Sequence, residues 1–178
     1  KTPLTIISGF IDLMIDDADN FTDQHGETLA IIRKNATQLG SLINDVLDIS
    51  RIEAGNLRIE PSVFEARELV GELESGFEQL LVSKNQKLTV SVPEAETWLE
   101  ADRGRVSQLV TNLLSNAHKY SGNDCEIRLS VSVEDKNITV LVEDEGIGIS
   151  EEDQQQLFTA FFRADNQAAR EAGGTGLG

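Results

Sequence analysis

Cysteine occurs once in this 178-residue chain, as do tryptophan, tyrosine and methionine. The single thiol, Cys125, can neither close a disulfide within the chain nor build a Cys-rich zinc site, so the composition fits a reducing, cytoplasmic compartment. Basic residues are scarce, fifteen Lys and Arg against thirty-one Asp and Glu, for a net charge of −16. Protein binding to a nucleic-acid backbone rests on Lys and Arg displacing counterions, so nucleic acid is not an expected partner. That charge does not exclude a phosphate ligand held locally by backbone N–H groups, a lysine and a bound cation. Long apolar runs are also lacking. No stretch approaches the roughly twenty residues needed to span a bilayer, and no signal peptide is legible at Lys1. Membrane contact is therefore not expected of these residues. At 39% hydrophobic and 26% charged, the chain has the composition of an ordinary folded protein of one domain or two small ones.

What is present falls into two patterns. Leu4, Ile7, Ile11 and Met14 recur at spacings of three and four, and a longer stripe of Leu29, Ile32, Ala36, Leu39, Ile43 and Val46 follows the polar stretch from Asp16 to Gln24. These predict a helical hairpin over residues 1–55, ending at Ala54-Gly55, where glycine suits a helix C-terminus. Ile6, Phe10, Leu42, Leu47 and Ile49 widen the stripe beyond one seam. A second hairpin, completing a dimeric four-helix bundle, would cover it.

Residues 56–178 read as an α/β sandwich, with helices on one face of a mostly antiparallel sheet. After a short linker near Gly55 to Pro61, with alternating Leu57 and Ile59, comes a helix carrying Ala66, Leu69, Val70, Leu73, Phe77 and Leu80. Leu88, Val90 and Val92 alternate as a strand. A helix from about Arg103 to Lys119 is predicted to bury Val106, Leu109, Val110, Leu113 and Ala117. Ile127 to Val133 and Ile138 to Val142 form a hairpin about the polar turn Glu134 to Asn137.

Three segments of this second part carry chemistry, and each has a plainer reading beside it. Asn112, Asn116, Lys119 and Tyr120 line one stripe of a helix. Asparagine oxygens suit Mg²⁺, lysine suits phosphate and tyrosine can pack beside a base, though the same stripe also reads as a solvated face. Asp144-Glu-Gly146-Ile-Gly148-Ile149 follows a strand. A carboxylate there can accept an exocyclic amine while glycines admit a ligand closely, or the segment is a strand-to-helix turn capped by Ser150. Gly173-Gly174-Thr175-Gly176-Leu177-Gly178 can aim amides at phosphates or be a tail. Ahead of it, Phe158, Phe161, Phe162, Arg163 and Asp165 stand as core aromatics beside an ion pair, or as part of the same device.

In this order the segments resemble the sequence boxes of the sensor histidine kinases. Asn112 to Ser121 resembles the asparagine box, and Asp144 to Ile149 the first glycine box. Leu157 to Asp165 resembles the phenylalanine box, and Gly174 to Gly178 the second glycine box. Lys1-Thr2-Pro3-Leu4-Thr5 resembles the end of the phosphoacceptor box, and Ser50 to Gly55 the close of the second hairpin helix. The resemblance implies an ATP-binding domain of the Bergerat type with ATP and Mg²⁺ as cofactors. It makes Asp144 the adenine-reading carboxylate and Asn116 the magnesium ligand, with Asn112 and Lys119 beside the phosphates and Tyr120 flanking the base. Gly146, Gly148 and Ile149 would shape the pocket. Phe158 to Gly178, including Phe161, Arg163, Gly174, Thr175, Gly176 and Leu177, would form a lid. Thr2 would position water for dephosphorylating a partner, and Pro3 would bend its helix.

The family's phosphorylated histidine falls three residues before Lys1. The two histidines present, His25 and His118, do not match it. Implied partners are a second copy, through residues 1–55, and the receiver domain of a response regulator. The related hydrolases of gyrase and chaperone type place a glutamate base one turn before the magnesium asparagine. Here that position is Asn112, whose amide cannot take a proton from water, which favours a kinase over a hydrolase or a nucleotide-binding scaffold.

Overall fold

The computed structural model describes residues 7, 9, 11, 14, 23–135, 137–159 and 162. They divide into two compact units, one ending at Leu57 and the other beginning at Arg58.

In the first unit Ile7, Gly9, Ile11 and Met14 are helical, with Ile11 buried, and a 31-residue helix, α1, spans Asp23–Glu53. It ends as Gly55 predicts. Gly55 adopts φ +65°, the Gly55 N–H donates to Ile52 O at 3.0 Å, and the Asn56 N–H reaches Arg51 O at 2.8 Å. This paired closure requires a left-handed residue, which glycine supplies without a Cβ penalty. Leu29 and Ala36 are buried in one copy of the chain, but Ile31, Ile32, Leu39, Ile43, Val46, Leu47 and Ile52 remain exposed.

The second unit contains β1 (Ser62–Glu65), α2 (Ala66–Val82), β2 (Lys87–Ser91), β3 (Trp98–Ala101), α3 (Arg103–Tyr120), β4 (Glu126–Glu134), β5 (Asn137–Asp144) and the single-turn α4 (Glu151–Gln154). β1 and β3 form an antiparallel ribbon, while β2, β4 and β5 form a sheet in that order. The β4–β5 ladder is the expected hairpin, its two-residue turn carrying Asp135 at φ 56°. The β2–β4 ladder is parallel.

One core joins these elements. Leu69, Val70, Leu73, Phe77 and Leu81 of α2 and Val110, Leu114 and Ala117 of α3 pack with Ile127, Leu129 and Val131 of β4 and with Phe64 of the ribbon. The period of two along β4 turns those three apolar residues inward and leaves Arg128 and Ser132 exposed.

Leu57 and Ile59 lie in the linker, and the first strand begins at Ser62, after Pro61. Two sequence expectations are corrected. Leu81 rather than Leu80 closes the buried face of α2, and Leu80 is 43% exposed. In α3 the phase differs, since Leu114 is buried to 1% while Leu109 and Leu113 are exposed at 56% and 40%. The apolar pairs Leu109–Val110 and Leu113–Leu114 satisfy two helical phases equally well, and the packing of α2 and β4 against α3 selects one.

Candidate functional site

Of the expected site residues, Tyr120, Asp144 and Gly146 meet where the C-terminal end of α3 reaches the segment leaving β5. Asp102 caps the start of α3, its Oδ1 accepting from the Arg105 N–H at 3.1 Å and its Oδ2 from the Glu60 N–H at 3.1 Å. Those two backbone bonds hold its carboxyl below the usual carboxylate range. At the other end of this 18-residue helix stands Tyr120. Tyr120 O accepts from the Ile147 N–H at 3.3 Å, which lays the 144–147 turn across the helix end.

Within that turn Asp144 Oδ1 accepts from the Gly146 N–H at 2.8 Å. The approach leaves no space for a side chain: a Cβ on Gly146 would stand 2.6 Å from Asp144 Oδ1 and 2.8 Å from Tyr120 O. Gly148 has φ +67° and open space around it, so its glycine answers to backbone conformation instead. Asp144 and Ile149 are exposed. Ser150 then caps α4, accepting from the Asp153 N–H at 3.1 Å. The strand-to-helix turn and the segment expected to meet a ligand are thus the same stretch.

Along α3, Asn112 is half-buried and Asn116 exposed, on the side away from Val110, Leu114 and Ala117. Neither amide hydrogen-bonds to another described residue. Lys119 Nζ donates to Tyr120 Oη at 3.0 Å and lies 4.6 Å from the centre of its ring. The structure therefore brings together Tyr120, Asp144 and Gly146, with Lys119 against Tyr120 and the two asparagines on the preceding turns. Thr2, Phe161, Arg163, Gly174, Thr175, Gly176, Leu177 and Gly178 lie outside the described residues.

This donor set fits a magnesium nucleotide. Among the described residues one carboxylate oxygen of Asp144 is fixed and the other has no partner, a neutral amide oxygen is available at Asn116, and an ammonium stands one turn away.

His118, one of the two histidines, is occupied structurally. Its Nδ1 lies 2.6 Å from Gln86 Oε1, and because Gln86 Nε2 faces three carbonyls, the ring must be the donor in this contact. Burial, then the nearby Lys84 ammonium, pushes its pKa below the ordinary 6.5. Lys84 and Gln86 gave no signal in the sequence, since no motif or periodicity ties them to residues more than thirty positions away.

The family models match in two pieces. Residues 1–55 match the His Kinase A (phospho-acceptor) domain, and residues 101–178 match the histidine kinase-, DNA gyrase B-, and HSP90-like ATPase. The chain belongs to the sensor histidine kinases of two-component systems. It is 35% identical over its whole length to the sensor protein GacS of Pseudomonas syringae pv. syringae, of which it spans 20%. Over its whole length it is also 35% identical to the histidine protein kinase DivJ of Caulobacter vibrioides, of which it spans 30%. Among solved structures it resembles the Acinetobacter baumannii histidine kinase AdeS, with a TM-score of 0.64 and 26% identity over 90% of this chain and 77% of that one. No helix among the described residues is long and apolar enough to cross a membrane.

Proposed function

We propose that this chain belongs to the kinase core of a two-component sensor, in which residues 1–55 form the dimerising hairpin whose phosphoacceptor position falls three residues before Lys1, and residues 56–178 bind ATP with Mg²⁺. The γ-phosphate passes to a histidine and then to an aspartate of a response-regulator receiver domain. The observation that carries the reading is Asp144 held by the Gly146 amide against the end of a helix that carries asparagine at both 112 and 116. The placement is cytoplasmic, where nucleotide and regulator are both available.

Asp144, with Oδ1 engaged by its own turn, offers Oδ2 to the exocyclic amine of adenine, and Tyr120 flanks the base. Asn116 would hold the magnesium ion, which when bound neutralises charge on the nucleotide phosphates. Lys119 leaves Tyr120 Oη for a phosphate, and Asn112 orients the same groups without acting as a base. Phe158 to Gly178, with Phe161, Arg163 and Gly174 to Gly178, act as the closing lid, while Gly146, Gly148 and Ile149 line the pocket. Neutral imidazole is itself nucleophilic at pH 7, so positioning suffices for transfer to histidine, whereas water would need a base. Thr2 orients water for hydrolysis of the phosphoryl group on the partner, which leaves as inorganic phosphate. A hydrolase is the second reading of this fold, and Asn112 in place of a glutamate counts against it.

The test is γ-labelled Mg-ATP added to a version of the protein extended on both sides of this sequence, with protein-bound label and free phosphate followed together. Acid-labile, base-stable label that disappears in Asp144→Asn is expected. Free phosphate without label would mean a hydrolase.

A further inference from the structure

The last carbonyls of a helix have no partners within it, and in α3 these belong to the residues that form the site. They are met from the connection between α2 and β2. α2 closes through Asn85 at φ 53°, with the Gln86 N–H bonded to Leu81 O at 3.0 Å, and this closure turns Lys84 and Gln86 toward the end of α3. Lys84 Nζ donates to the carbonyls of His118 at 2.9 Å, Lys119 at 3.1 Å and Ser121 at 3.0 Å. Gln86, 8% exposed, donates through Nε2 to those of His118 at 3.2 Å, Ser121 at 3.3 Å and Gly122 at 2.8 Å, while its Oε1 accepts from the His118 ring. The one carbonyl between them left over, Tyr120 O, takes the Ile147 N–H.

We infer that Lys84 and Gln86 are positioning residues of the nucleotide site: by engaging four of the five carbonyls from His118 to Gly122, they fix the last turn of α3 where Tyr120 O meets Ile147 N–H, and so set where the Asp144 carboxylate stands. Lys84 suits the task because an ammonium carries three donors and sits at the negative end of the helix dipole. Gln86 adds the geometric constraint, since its buried amide is satisfied at both ends only when the turn and the His118 ring hold these positions. The two loops are also joined directly, Asn85 Nδ2 to Asp124 Oδ1 at 2.6 Å and the Asp124 N–H to Lys84 O at 3.0 Å, so the clamp cannot drift without the turn that follows α3.

The inference rests on the nucleotide reading of the site, and the test separates the two. In the 178-residue chain, amide exchange at Ile147, with Leu129 and Val131 as core references, is measured beside calorimetric titration with Mg-ADP for wild type, Lys84→Met, Gln86→Leu and Lys84→Arg. Expected in the folded Met and Leu variants is Ile147 exchange about tenfold faster with unchanged core protection, and Mg-ADP affinity about tenfold weaker, as fits loss of charge-assisted and buried hydrogen bonds. Lys84→Arg, retaining donors and charge, restores most of both. Folded variants with wild-type exchange at Ile147 and wild-type affinity overturn the inference. Should Lys84→Met not fold, Gln86→Leu decides by the same two readouts. A wild-type chain that binds no Mg-ADP removes the nucleotide reading itself, and the inference with it, an outcome distinct from a clamp that leaves affinity untouched.

Discussion

Gly146 and Gly148 stand two residues apart in one loop, yet they are glycine for different reasons, and the difference is measurable. A methyl on Gly146 meets Asp144 Oδ1 and the Tyr120 backbone at well under contact distance, so Gly146→Ala must move the carboxylate or the helix end. Gly148→Ala meets nothing but must hold φ +67°, at a cost of about 1–2 kcal/mol for a left-handed non-glycine residue. The expected outcome is that Gly146→Ala loses Mg-ADP binding with its core intact, while Gly148→Ala binds but unfolds at lower urea. Equal loss of binding in both would contradict it. That Asp144 and Gly146 belong to one candidate site with Tyr120 was legible in the sequence, because motifs carry these residues in local spacing. What fixes them was not: Lys84 and Gln86 act across more than thirty residues, and a lysine or glutamine after a helix has no spacing that names its partners.

Among the elements, helices and the long hairpin were legible because their apolar periods run for several turns or strand residues. The β1–β3 ribbon was not, since each strand has only four residues and Trp98 and Val63 face outward at 58% and 67% exposure. Neither was the parallel β2–β4 pairing, which depends on which strands become neighbours. The phase of α3 gives a direct check. Leu114→Ala is expected to cost about 2–5 kcal/mol in urea unfolding, as a cavity in a packed core does, and Leu113→Ala under about 1 kcal/mol. Similar costs at the two positions would mean that α3 presents another face to β4.

At the scale of the whole molecule, α1 leaves seven large apolar residues exposed, Ile31, Ile32, Leu39, Ile43, Val46, Leu47 and Ile52, in a single copy. A helix with so wide an uncovered stripe is stable only when another surface takes it. With the phospho-acceptor family match over residues 1–55, a second copy is the partner that fits. Leu39→Asp combined with Ile43→Asp is expected to convert the proposed dimer to monomer in light scattering while Mg-ADP affinity stays at wild type, because the proposed nucleotide site lies in the second unit. A variant that remains dimeric would place the contact elsewhere.

The β4–β5 ladder runs from the Asp135 turn to Asp144, which pairs with the buried Ile127. Seven strand steps separate its two ends, about 24 Å at the usual rise. The ladder is in effect a ruler with one end calibrated. Adding or removing a residue within β5 would reverse the facing of everything beyond it and turn Asp144 away. The hairpin tip, by contrast, can change length or carry a reporter group with no effect on what the far end reads.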